Sequence, residues 1–172
     1  MAATSRQGPR RGFFVLGLMA MSVIGFGCVG SMTDQLMNSL TGGRIGAKAN
    51  DGQLTFVDKE TNKKYILGEN IVIPVDFPKE MFVYPGSKIL AVTTGMDASL
   101  NVKADVDADT VVKWYADKLK ISGWKEASKV AAGGYENRSY TKDTITLSFT
   151  FLGSRDSDSK STVISISRKE VK

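Results

Sequence analysis

Asp107-Ala-Asp-Thr-Val-Val-Lys-Trp-Tyr-Ala-Asp-Lys-Leu-Lys-Ile-Ser-Gly-Trp124 is the stretch that decides the fold, because it carries a helix pattern together with both helix ends. Val111, Tyr115 and Leu119 recur at every fourth position and predict one apolar stripe along the helix. The opening Asp is a favourable N-cap, and Gly123 suits the left-handed position just beyond a helix end. The apolar stripe needs a second layer to cover it, so we expect strands on both sides of the helix.

The flanking segments predict those strands. The segment 99–106 alternates apolar and polar residues, as does 144–151, which is typical of strands with one buried face. The predicted strands are 89–94 and 99–106 before the helix, and 124–130, 135–140, 144–151 and 162–168 after it. The sequence therefore predicts an α+β fold in the order ββαββββ, with one helix packed on an antiparallel sheet.

Upstream of these elements the chain changes character twice. Residues 51–70 predict a short accessory hairpin, and 71–87 contain three prolines, which favour an extended lead-in to the sheet. Residues 28–50 are rich in glycine and predict a flexible tether. The predicted α+β domain is accordingly 71–172, preceded by the hairpin and by the tether.

The N-terminus is typical of an export signal. Residues 1–27 begin with three arginines and no acidic residue, and continue into an apolar run that is short for a membrane-spanning helix. The only cysteine of the chain, Cys28, follows this run directly, and the segment resembles a bacterial lipoprotein signal with Gly27 before the cut. The resemblance implies cleavage, lipid attachment to Cys28 and a position on the extracytoplasmic face of a bacterial membrane. An uncleaved N-terminal helix that anchors the chain remains the alternative.

Two further motifs carry a second resemblance. Residues 76–88 contain Phe-Pro and Tyr-Pro-Gly, and 111–124 read Val-Val-Lys-Trp-Tyr-Ala-Asp-Lys-Leu-Lys-Ile-Ser-Gly-Trp. Together they resemble a largely uncharacterised family of bacterial envelope lipoproteins with an FP…YPGA lead-in and a VxxFYxxxLxxxGW helix. Ser87 and Trp114 stand where that family has Ala and Phe. The resemblance implies a place in the cell envelope and a fold, and it implies no activity.

Composition and charge exclude several classes of function. The chain of 172 residues has no histidine and one cysteine, which excludes a Cys/His zinc site, a disulfide framework and a histidine base. Its net charge of +5 owes much to the three arginines of the signal, so no nucleic-acid partner is predicted. The acids at 105, 107 and 109 lack the glycine and the final glutamate of a calcium loop. No metal, cofactor or catalytic residue is predicted.

What remains is a module that binds or holds other envelope components. The partner is predicted to be a protein or an envelope polymer, reached by a lipid-anchored and non-enzymatic domain. Trp114 lies off the apolar stripe of the helix and is the candidate partner contact if it is exposed. The alternative is a small hydrolase or ligand carrier with a cleft near residues 77–87.

Overall fold

One antiparallel sheet dominates the molecule. The computed structural model describes residues 38–50, 52–153 and 160–171, together with Gln35. Within these residues nine strands join in the spatial order β1-β2-β3-β4-β5-β9-β8-β7-β6. The strands are β1 (Ile45–Asn50), β2 (Gln53–Asp58), β3 (Lys63–Gly68), β4 (Lys88–Thr93), β5 (Ser99–Ala104), β6 (Lys125–Ala132), β7 (Tyr135–Lys142), β8 (Ile145–Gly153) and β9 (Thr162–Glu170). Helix α1 (Ala108–Ile121) lies between β5 and β6 in the chain.

The predicted α+β layout in the order ββαββββ is wrong. The segment 51–70 is not an accessory hairpin, because its strand β3 pairs with β4 and so extends the main sheet. Residues 45–50, assigned above to the tether, form β1 at the edge of the same sheet. A two-stranded hairpin is at best marginally stable in water, and joining a larger sheet satisfies the main-chain groups along its open edge. The described residues thus form an open nine-stranded sheet, with α1 packed against it.

Helix α1 begins and ends as predicted. The Asp107 carboxylate accepts a hydrogen bond from the Thr110 main-chain N–H at 2.9 Å, which identifies it as the N-cap. At the other end the Trp124 N–H donates to the Leu119 carbonyl at 3.0 Å, and the Gly123 N–H donates to the carbonyl of residue 120 at 3.1 Å. These two bonds define a Schellman ending, with Gly123 at φ +82°.

Helix α1 covers one face of the sheet, here called the inner face. Tyr115 and Leu119 are fully buried and point at the middle strands, where the rings of Phe149 and Phe151 lie 5.1 and 5.8 Å from the Tyr115 ring. The alternation of strand residues places the apolar ones on this side. The other side, here called the outer face, carries the residues that alternate with the core.

The lead-in 71–87 also packs on the inner face. Its apolar residues Ile71, Phe77 and Met81 are buried within the same core as the helix. Arg168 of β9 donates to Glu80 at 2.8 Å, and this ion pair fixes the lead-in to the sheet. Burial lowers the pKa of Arg168, but the hydrogen bonds to Glu80 and Glu170 outweigh it and the pKa is raised.

Candidate functional site

Trp114, the residue predicted to contact a partner, is half-buried at the margin of the core. Its ring meets Tyr84 edge-on at 5.3 Å between centroids and Tyr115 at 4.8 Å. Two aromatic neighbours thus hold it in place, and only part of its ring faces solvent. Trp114 therefore contributes to the packing between the helix and the lead-in and presents a limited surface to a partner.

The segment 77–87, which the alternative hypothesis needed as the wall of a cleft, is packed onto the helix. The Tyr115 hydroxyl donates to the Phe82 carbonyl at 3.1 Å and accepts from the Tyr84 N–H at 3.2 Å. The ammonium group of Lys118 lies 5.3 Å from the centroid of the Phe82 ring. These contacts pack residues 82–84 of the lead-in directly against α1.

Two open pockets lie at the two ends of α1. One of about 320 Å³ is lined by Asp109, Phe151 and the turn between β6 and β7, and one of about 360 Å³ is lined by Gly123, Lys142 and their neighbours. Neither pocket includes a residue of 77–87. Among the described residues, no group of three acidic, Cys or His side chains is arranged to hold a metal ion.

A cluster of charges lies on the inner face beside the core. Arg138 is 13% exposed and forms ion pairs with Glu136 at 2.6 Å and Glu126 at 3.1 Å, while Lys129 reaches Glu136 at 3.6 Å. Burial lowers the pKa of Arg138, but hydrogen bonds with Tyr140 and Glu136 outweigh it and raise the pKa. Every charge of this cluster has an opposite partner, so the cluster closes one end of the core and offers no free acid or base.

The outer face carries a feature that the sequence does not display. Six hydroxyl residues stand directly opposite one another on six neighbouring strands, from β6 to β4. This set, here called the serine row, consists of Ser128, Ser139, Ser148, Ser167, Ser99 and Thr93. With strands about 4.8 Å apart, the row extends for about 24 Å across the sheet.

A second row of uncharged polar residues runs beside the first. It consists of Asn137, Thr150, Ser165 and Asn101, again paired directly across β7, β8, β9 and β5. The Asn137 amide donates to the Thr150 hydroxyl at 3.1 Å. The two rows therefore form an uncharged polar field on the side of the sheet that faces away from α1.

This field is open to solvent in the described part of the molecule. Ser128 and Ser167 of the serine row are exposed, and two paired apolar residues at one corner of the field, Tyr135 and Leu152, are 40% and 47% exposed. The predicted lipid site Cys28 lies outside the described residues, and so does the whole of the predicted signal 1–27. In the part of the chain that the structure describes, no helix has the length and apolar character needed to cross a membrane.

The serine row could not have been found from the sequence alone. The alternation of Thr146, Ser148 and Thr150 shows that β8 has one polar face. The row also depends on the register of five strand pairs, one of which joins Ser99 to Ser167 from distant parts of the chain. Of the residues singled out in the sequence analysis, the fold brings Trp114 and Tyr115 together, with Tyr84 of the lead-in beside them, on the opposite side of the sheet from the row.

Comparison with known proteins gives no relative to set beside this geometry. A scan against protein-family models, a search of curated proteins and a search of solved structures each returned no match to the chain. The resemblance to envelope lipoproteins therefore stays a prediction.

Proposed function

We propose that this protein is a non-enzymatic binding or scaffolding module of the bacterial cell envelope, anchored by lipid on Cys28 at the extracytoplasmic face of a membrane. The observation that carries the proposal is the outer face of β4–β9, a broad polar surface that neither α1 nor the lead-in covers in the described part of the chain. The sequence of residues 1–28 supports the anchor.

The division between the two faces of the sheet supports binding at the outer one. On the inner face, side chains such as Tyr115 and Phe149 have no exposed surface, and the lead-in closes the margin of the core. The contact surface for a partner of appreciable size is therefore the outer face. The anchor would keep this surface near the membrane and raise its local concentration there.

Lipid attachment is tested first. The full chain is expressed in a bacterial host and labelled with an alkyne-tagged fatty acid, as the wild type and as Cys28→Ala. We expect the label, the mass of the lipid and detergent-phase partition in the wild type only, because this thiol is the acyl acceptor. Equal labelling and equal mass in both proteins would contradict the anchor, and membrane retention of both without label would indicate a spanning N-terminal helix.

Binding at the outer face is tested in the same cells. A photo-crosslinking amino acid is placed at Ser167 on the outer face, or at Lys113 on the exposed side of the helix as the matched control. We expect crosslinked adducts, found in intact cells and absent from the control, at the outer position. Identical adduct patterns at the two positions would contradict a partner that prefers this face.

A further inference from the structure

We propose that the outer face binds an uncharged glycan chain that lies along the serine row, across the strands. This inference rests on the proposed function, since it names the chemical class of the partner. It depends on four observations: the spacing of the row, its free hydroxyl groups, the distribution of charge around it and an aromatic ring at one end.

The spacing of the row matches a polymer with a short repeat. Successive hydroxyl residues sit on adjacent strands, so the row advances by about 4.8 Å per residue across the sheet. This step is comparable to the length of one hexose unit in an extended glycan. Six such positions, from Ser128 to Thr93, provide contacts for a chain of several sugars.

The hydroxyl groups in the middle of the row are available. Ser128 and Ser139 share a hydrogen bond of 2.7 Å at one end. Among the described residues, the side chains of Ser99, Ser148 and Ser167 have no hydrogen-bond partner. A serine hydroxyl both donates and accepts, as does each hydroxyl of a sugar, so the two sets complement one another without a fixed polarity.

The charges around the row favour a neutral ligand. Neither polar row contains an ionisable side chain. The lysines of this face lie outside both rows: Lys103 and Lys88 toward one margin, Lys169 and Lys125 toward the other, and Lys63 beside Tyr65 at the β3 end. An acidic polymer would therefore contact lysines only at the margins, whereas a neutral chain contacts uncharged polar side chains along its whole length.

The same composition disfavours a second copy of this chain as the occupant. The buried centre of a protein interface is more apolar than its rim and poor in small polar residues. Here the centre is polar, and the exposed apolar side chains lie at its two ends, with Tyr135, Leu152 and Val130 at one and Tyr65 and Leu67 at the other. Two such faces pressed together would bury hydroxyl groups over most of the contact area.

An aromatic residue extends the serine row at its β3 end. Tyr65 stands directly opposite Thr93 and is 39% exposed. Lys63 lies over its ring at 5.4 Å on one side, which leaves the remaining ring surface for contact with the C–H face of a sugar. A hydroxyl row that ends in an aromatic ring combines the polar and apolar contacts that a pyranose offers.

The test uses the full-length protein in detergent micelles. Isothermal titration measures binding of two uncharged glycans, cellohexaose and chitohexaose. Co-sedimentation with purified peptidoglycan sacculi measures binding of a third glycan, whose sugar backbone is neutral while its stem peptides carry carboxylates. The variant Ser148→Ala/Ser167→Ala removes two central hydroxyls, and Ser161→Ala, which lies just before β9, is the matched control. Thermal unfolding of all three proteins confirms that they are folded.

We expect the wild type to bind at least one of the three glycans, and the double variant to bind it about tenfold more weakly, since two hydrogen bonds are lost. The Ser161→Ala protein should stay within about twofold of the wild type. We also expect little change in affinity with added salt, because the row is uncharged.

Three results would overturn the inference. The first is that the folded wild type binds none of the three glycans, and the second is that the double variant binds as tightly as the wild type. The third is binding that weakens steeply with added salt, which would indicate that the lysines at the margins bind an acidic polymer. Self-association that the double variant abolishes would replace the glycan by a second copy. Lipid labelling of Cys28 and protein adducts at Ser167 do not depend on these outcomes, so the proposed function can stand when this inference fails.

Discussion

The hydroxyl group of Tyr115 offers the sharpest test of how the lead-in is held to the helix. It accepts from the Tyr84 N–H at 3.2 Å and donates to the Phe82 carbonyl at 3.1 Å, and the side chain is fully buried. Burial raises the pKa of the Tyr115 phenol, so the group stays protonated and able to donate at neutral pH. Tyr115→Phe removes both bonds while the ring remains in place.

The size of the effect follows from those two bonds. Each contributes about 0.5–1.5 kcal/mol net, so we expect the free energy of unfolding to fall by about 2 kcal/mol. The ring contacts with Phe149 and Trp114 persist, so no cavity term is added. For a chain of this length the melting temperature should drop by about 4–8 °C.

Urea unfolding at neutral pH measures this loss as a shift in midpoint at constant slope. Tyr140→Phe is the matched control, because the Tyr140 hydroxyl makes two longer contacts, to Glu126 at 3.3 Å and to Arg138 at 3.5 Å. We expect the control to lose less than about 1 kcal/mol. Equal shifts in the two variants would refute the idea that the Tyr115 hydroxyl holds the lead-in.

Two further predictions concern the ends of α1. Gly123→Val should lower the free energy of unfolding by about 1–3 kcal/mol, because residue 123 has φ +82°. A steric clash is not the cause, since an added Cβ meets nothing closer than the Lys142 side chain at 3.8 Å. Gly123→Asn should recover part of the loss in urea midpoint, and equal midpoints for the Val and Asn variants would contradict a backbone cause. Gly133 is unsuitable as a control, since it also has φ +56°. The hydrogen bond from the Thr110 N–H holds the pKa of Asp107 below its ordinary value. The ionised Asp107 carboxylate therefore stabilises the fold fully above the unfolded-state pKa, and this stabilisation is lost as pH falls through the folded-state pKa. Asp107→Asn should therefore lower the urea midpoint at neutral pH and converge on the wild type in acid, and a constant difference across pH would contradict this.

The agreement between sequence and structure is best where the interactions are local. The stripe of α1, its N-cap at Asp107 and its ending at Gly123 all involve residues within a few positions of each other. The strands after the helix were also located to within a few residues, since burial on one face enforces their alternation.

The disagreement lies in how the strands assemble. The hairpin β2–β3 was placed outside the sheet and β1 was assigned to a tether, because neither segment shows in its own residues which edge it will join. That choice depends on the unpaired edge of β4, which exists only once the rest of the sheet has formed.

Sequence by itself determined the helix with both of its ends and the polar and apolar sides of β5 and β8, because these depend on the order of residues and on contacts between near neighbours. The export signal before Cys28 stays a prediction. Tertiary structure alone decided that nine strands form one sheet and that hydroxyl residues from six of them stand in line. The physical reason is register. Burial of the inner face fixes β5, β8 and β9 against one another to the residue, and a shift of one residue in either of their pairs would turn a serine away from the row.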